Sequence, residues 1–431
     1  MTTKKKQPGF WAALVIFSLV GQIAWVMENM YFNVFIYKLF AASAEQIALM
    51  VSCSAVAATV TTIIMGAVSD KVGKRKLFMV GGYILWGISI LAFAFVRVDV
   101  ISAIFPTAVS AAAVGVSLVI ILDCVMTFFG STANDAAFNA WMTDAADSSN
   151  RGAVEGINAM MPLVAILAVF GGFMGFNLDE PSSWTAIFII IGLVVLAVGV
   201  AGIFIIEDKP LEKKESGIFT ELLYCLKPST IKDNSALYIP LIAFAVFNIS
   251  IQVFMPYLII YYEVSLAMAN YVLIMAPAII AASVVTFFWG RFYDKKGFTS
   301  SIVISLVWLS AGYILLYLFK GTALVFIGSL LMMCGYLSAM AVFGAYIRDK
   351  MPTDKAGLFQ GPRILCQVLI PGVIGPFIGA RVLAGQESLT GSDGTVSFIP
   401  NENIFLAALI VIIVLIPFVI KLTRSDRRNT K

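Results

Sequence analysis

Gly66-Ala67-Val68-Ser69-Asp70-Lys71-Val72-Gly73-Lys74-Arg75-Lys76 stands between two long apolar runs, and Gly290-Arg291-Phe292-Tyr293-Asp294-Lys295-Lys296-Gly297 stands between two more. In both copies the acid follows the first glycine by four residues and precedes the second by three. A charged turn that recurs at the same place in two halves of an apolar chain marks a duplicated membrane protein. Internal symmetry of that kind is a sequence mark of secondary transporters.

A second echo supports the duplication. Arg151-Gly152-Ala153-Val154-Glu155-Gly156 matches Lys355-Ala356-Gly357-Leu358-Phe359-Gln360-Gly361. Gly156 and Gly361 lie 205 residues apart, whereas Gly66 and Gly290 lie 224 apart. The first half therefore holds about nineteen extra residues between its two echoes, much of that insertion being expected at 97–112, between segments three and four.

Composition agrees. Of 431 residues, 60% are hydrophobic and 13% charged, half or so of the charge of an ordinary soluble domain. Mean hydropathy is +0.94. A net charge of +4 is no nucleic-acid signature, because its placement matters more than its size. The chain has no histidine, which removes a histidine relay, a His-ligated metal and a Ser–His–Asp hydrolase. Cys53, Cys124, Cys225, Cys334 and Cys366 show no metal spacing and no disulfide framework. No nucleotide-binding loop is present, so ATP hydrolysis is not expected; the expected protein is not an enzyme and has no cofactor or metal.

Apolar runs predict an all-α membrane protein of twelve transmembrane helices, at 9–39, 44–67, 77–96, 113–142, 153–176, 185–205, 236–262, 267–289, 300–319, 322–346, 359–382 and 403–421. The first run is read as a helix and not as a signal peptide, since it is long and contains Glu28. Two pseudo-symmetric six-helix bundles, 1–205 and 236–431, flank a central loop, 206–235. Within that loop 218–226 reads as a short amphipathic surface helix or a solvated linker. With both termini in the cytoplasm, 24 of the 29 Lys and Arg fall on the inner side. Lys38, Arg97, Lys320 and Arg381 fall outside, and Arg363 lies at the edge of segment eleven. That asymmetry fixes the expected orientation in an inner or plasma membrane.

Polar residues inside a bilayer are costly and face a cavity or one another. Segment four carries Asp123, Thr127, Ser131, Asn134, Asp135 and Asn139, with Trp141 near its inner end. At 100° per residue Asp123 and Asn134 share a face, and Asp135 lies about 120° away. Segment one places Gln22, Asn29 and Asn33 on one face, with Glu28 beside them. Segment seven adds Asn248 and Gln252, and segment eleven adds Gln360, Arg363 and Gln367. A polar solute leaving water must regain hydrogen bonds, which carboxylates and amides supply, and a ring can stack on Trp or Tyr. Embedded carboxylates can also hold a cation or carry a proton. Each of these residues has an alternative reading as an interhelical hydrogen bond or, for the tryptophans, as packing.

The Gly66–Lys76 stretch and its echo resemble the signature loop of the major facilitator superfamily. The resemblance implies two bundles rocking about a central site. It makes Gly66, Asp70, Gly73 and Arg75, echoed by Gly290, Asp294 and Gly297, residues of a cytoplasmic gate. The closest likeness is to the melibiose permease-like glycoside–pentoside–hexuronide symporters. There a segment-four Asp, an aromatic turn and a later Arg contact sugar; Asp135, Phe138, Trp141 and Arg151 fit that layout. Counting from Gly73 favours Asp123 instead, and Asp135 is preferred. Those symporters hold two acids in segment two, where this chain has Ala58 and Thr62, and the helix-five Arg is replaced near Asn158. Sodium is therefore disfavoured, while proton coupling through Asp135, Asp123 or Glu28 and uncoupled facilitation stay open.

The expected function is secondary transport of a small polar solute, a sugar or glycoside, by a monomer in the lipid bilayer. Contact or coupling is expected at Asp135, Asp123, Glu28, Asn29, Asn139, Trp141, Asn248 and Gln252. Gating is expected at the signature residues and Arg151. Export of amphipathic or drug-like molecules, suggested by 33 Phe and 18 Met, and a non-transporting membrane sensor are the alternatives.

Overall fold

The computed structural model describes residues 8–106, 110–146, 150–207, 224–268, 270–351, 359–385, 388–390 and 396–429. Among them, eleven helical stretches are long and apolar enough to cross a membrane. They are α1 (Gly9–Phe40), α2 (Ala44–Val72), α3 (Arg75–Phe93), α4 (Ala111–Ala145), α5 (Gly152–Phe173), α6 (Pro181–Ile205), α7 (Ser235–Ser265), the run Val272–Leu318, α10 (Thr322–Lys350), α11 (Gln360–Leu383) and α12 (Asn403–Arg424). Val272–Leu318 has 47 residues, about 70 Å of helix, or more than two bilayer crossings. Its backbone breaks at Gly297, φ 73°. It is therefore two spans, α8 (272–296) and α9 (298–318), which makes twelve.

The charged motifs are not the open loops that segment ends at 67 and 289 implied. Both are the last turns of helices. In the first copy α2 runs to Val72 and α3 begins at Arg75; in the second only Gly297 interrupts the helix. Gly73 and Gly297, the matching glycines, have φ of 71° and 73°. A left-handed residue ends a helix cheaply only when it lacks a Cβ, so sequence and backbone repeat together.

The link between α3 and α4, 94–110, is fourteen residues longer than its counterpart between α9 and α10, 319–321, which accounts for much of the nineteen-residue excess. A short helix, Val98–Ile104, stands between α3 and α4, whereas α9 and α10 are joined by three residues. Most of the proposed amphipathic helix at 218–226 falls outside the described residues.

The chain packs as two compact units: 1–42 with 56–218, and 43–55 with 219–431. The first has an aromatic core of Phe32, Phe35, Phe93, Trp184 and Phe188, with Phe93 stacked on Phe188 at 5.3 Å. In the second, Phe254, Tyr261, Tyr313 and Phe405 cluster, and the buried hydroxyls of Tyr313 and Ser250 are hydrogen-bonded. Tyr313 Oη lies 3.1 Å from Ser250 Oγ, which donates to Ala408 O at 2.9 Å.

Residues 43–55 are held in the second unit by backbone carbonyls. Pro376 inside α11 has no N–H, which leaves the carbonyl of Gly372 without its helical partner. Ser52 Oγ donates to that carbonyl at 3.2 Å. Tyr257 Oη lies 3.0 Å from Pro376 O and 3.1 Å from Ala44 O, and donates to this pair.

Candidate functional site

Helices α1 and α4 carry the polar residues of the first unit, and both depart from α-geometry there. Met27–Tyr31 and Ser131–Phe138 are π-helical, with i→i+5 backbone bonds. Such insertions turn the following side chains to a new face and are frequent at functional sites. Asn29, inside the first insertion, and Asn33, just past it, differ in burial. Asn29 is exposed and donates to Trp25 O at 2.8 Å; Asn33 is fully buried and donates to Asn29 O at 3.1 Å.

Burial sorts the polar groups into two sets. The first set is enclosed. Thr127 Oγ1 donates to Glu28 Oε1 at 3.0 Å, joining α4 to α1. Glu28 is 7% exposed and Asp123, one turn before Thr127, is 1% exposed. Asn134 is also enclosed: its Oδ1 accepts from Trp25 Nε1 at 3.3 Å and its Nδ2 donates to Tyr83 Oη at 2.8 Å. Tyr83 in turn donates to Phe17 O at 2.6 Å. This chain ties α1, α3 and α4 together. A Cβ on Gly21 would stand 2.6 Å from Tyr83 Oη, so glycine is what admits it.

The second set is accessible. Asp135 is half-buried, and its Oδ2 accepts from Ser131 Oγ at 3.0 Å. Asn29 and Asn139 are exposed, and Asn139 donates to Asp135 O at 3.1 Å. Trp25 is half-buried beside Trp86, 5.0 Å away. Trp141 is buried, stacked on Phe138 at 5.9 Å and tilted against Phe10 at 5.3 Å. On α5, Asn158 Oδ1 accepts from Ser18 Oγ at 2.6 Å, which joins α5 to α1.

In the second unit Asn248 is buried and donates to Phe244 O at 2.8 Å. Gln252, Arg363 and Gln367 are half-buried, and Gln360 is exposed. Leu365–Leu369 and Tyr261–Ser265 are again π-helical. No group of His, Cys, Asp and Glu among the described residues can hold a metal ion.

The signature motif forms a buried ionic knot. Arg75 is 7% exposed. Its Nη2 pairs with Asp70, its Nε donates to Asp144 Oδ2 at 3.1 Å and its Nη1 to Ser69 Oγ at 2.6 Å. Ser69 Oγ in turn donates to Gly66 O at 2.8 Å. In the echo, Tyr293 Oη donates to Asp349 Oδ2 at 2.8 Å, and Asp294 is exposed. The side chain of Arg151 lies outside the described residues. Tyr83 and Asp144 went unnoticed in the sequence: Tyr83 is a lone hydroxyl in an apolar run. Asp144, however, precedes Asp349 by 205 residues, the separation of Gly156 and Gly361, and that signal could have found it.

A model of the Major Facilitator Superfamily matches residues 10–376. No curated protein matches the chain in sequence. Among solved structures it is similar to a mutant of the nucleoside transporter NupG, at 12% identity and a TM-score of 0.73, over 95% of this chain and 99% of that one. It is also similar to a bacterial homologue of the human lysosomal transporter Spinster in an inward-facing, occupied conformation, at 15% identity and a TM-score of 0.68, over 97% and 98%. At those identities the likeness is one of fold. The family match spans most of the chain and coincides with the repeated motif and the twelve spans, so the protein belongs to the Major Facilitator Superfamily and is a secondary transporter.

Proposed function

We propose that the protein moves a small polar solute of the sugar or glycoside class by alternating access, with proton coupling. The observation that carries this reading is the division of the α1 and α4 polar groups by burial. Asp135, Asn29 and Asn139 are accessible and supply acceptors and donors suited to hydroxyls. Glu28, which accepts from Thr127, and Asp123 are both enclosed and are the proton carriers. Asn134 holds the helices in place. Asn248 and Gln252 are the contacts offered by α7. Sodium is disfavoured because Thr62 Oγ1 donates to Ala58 O at 2.7 Å, where the sodium-using symporters carry two acids. The melibiose permease-like assignment remains part of this proposal.

The excess of lysine and arginine on one side supports an orientation with both termini in the cytoplasm, in an inner or plasma membrane. Asp70, Arg75 and their echo then act as the inner gate, together with Gly66, Gly73, Gly290, Gly297 and Arg151.

A nucleoside is a second reading. The half-buried Trp25 offers a ring beside the polar groups, and NupG is a nucleoside transporter of this fold. Uptake into liposomes, screened over sugars and nucleosides with sodium and pH varied separately, decides between them. Uptake of a glycoside driven by an inward proton gradient is expected. Acceleration by sodium alone would overturn the coupling, and nucleoside-only uptake the substrate class. Asp135→Asn is expected to abolish solute binding; unchanged binding would remove Asp135 from the site. Asp70→Asn is expected to slow turnover with affinity intact, and lost affinity would count against the gate.

A further inference from the structure

A groove of about 510 Å³ runs along α11, lined by Val373, Ile374, Phe377, Ile378, Arg381 and Val382. Five of the six are apolar, and Ile374 and Phe377 are more than 40% exposed. From 373 to 382 the helix rises about 14 Å, close to the ~15 Å depth of one hydrocarbon leaflet. The groove therefore starts near mid-membrane and ends at an interface.

At that interface stands Arg381, exposed and in the last turn of Ile370–Leu383. None of the ion pairs among the described residues engages it. A guanidinium presents a planar fork of donors that matches phosphate oxygens, and it holds its charge at any working pH. A shallow, open apolar groove one leaflet long, ending at one such fork, has the length and polarity of a single phospholipid.

We infer that α11 holds an anionic phospholipid, with an acyl chain in the groove and the phosphate on Arg381. The leaflet is the one at the 11–12 end of the helix, away from the signature motifs. Zwitterionic lipid enters the same groove but gains less at Arg381, because its own ammonium offsets the phosphate. One basic group at an anionic surface favours the anionic lipid about fivefold.

The test captures the lipid where it binds. Phe377 is replaced by the photo-crosslinker benzoylphenylalanine, and the full chain is reconstituted into vesicles of equal phosphatidylglycerol and phosphatidylcholine. After illumination, adducts are weighed by mass spectrometry. Phosphatidylglycerol adducts are expected to exceed phosphatidylcholine adducts about fivefold. Arg381→Gln should bring the two to parity with total capture unchanged, and Arg381→Lys should keep the preference. Parity in the Arg381 protein, or an undiminished preference in Arg381→Gln, would overturn the inference. Excess inorganic phosphate should leave the ratio unaltered; competition by it would overturn the role of the acyl chain.

Discussion

The two copies of the signature motif share a backbone and differ in chemistry. Gly73 and Gly297 adopt the same left-handed conformation at the same register. In the first copy a buried arginine bridges two acids, Asp70 of its own motif and Asp144 of α4. In the second, Thr299 stands at the arginine's place, and Tyr293, at the place of Ser69, reaches Asp349, the counterpart of Asp144. Duplication thus preserved the turn and the acid on the neighbouring helix. What diverged is the group that links them: a cation in one half, a neutral hydroxyl in the other. Charged links are strong and break at a cost, whereas a single hydroxyl bond exchanges easily with water. The first half therefore carries the stiffer link.

Substitution can break that contrast or sharpen it. Arg75→Ala leaves Asp70 and Asp144 facing each other without a cation. It should cost about 2–3 kcal/mol, below the range for fully buried pairs because both acids are about a third exposed. Thermal unfolding in detergent reads this, and a loss no larger than that of Thr299→Ala would erase the contrast. Gly73→Ala and Gly297→Ala should each cost about 1–2 kcal/mol, since both force a Cβ into the left-handed region. Unequal losses would mean that the turns are not equivalent. Tyr293→Phe removes one hydrogen bond and should cost about 1 kcal/mol by the same measurement. Thr299→Arg restores the missing cation between Asp294 and Asp349 and should raise stability by about 0.5 kcal/mol. If it lowered the unfolding temperature, the second copy would have lost room for an arginine as well as the residue itself.

The spans were legible because membrane crossing demands about 20 apolar residues, and 60% of this chain is apolar. The duplication was legible because a glycine that must be left-handed cannot be replaced cheaply, so its spacing persisted. The α1 and α4 polar face was legible only in outline. Its members were found, but the π-turns at 27–31 and 131–138 are a choice of backbone bonding that leaves no mark in the hydrophobic pattern. Nor does that pattern tell that Asn29, inside the first of them, is exposed while Asn33, just past it, is enclosed. The apolar period is equally silent about partners, so the link from Arg75 to Asp144 emerged only in the structure.

Ser52 at the carbonyl freed by Pro376 has a consequence for the history of the chain. Two fused copies of an ancestral gene should in principle come apart again at the joint. Here thirteen residues encoded in the first copy, Ser43–Ala55, pack with the second. A fragment beginning at Ser235 would lack part of its own interior, and the α11 carbonyl would lose the donor that completes it. Such a fragment should assemble only when the other is supplied beside it, so the two halves have become dependent on each other for folding.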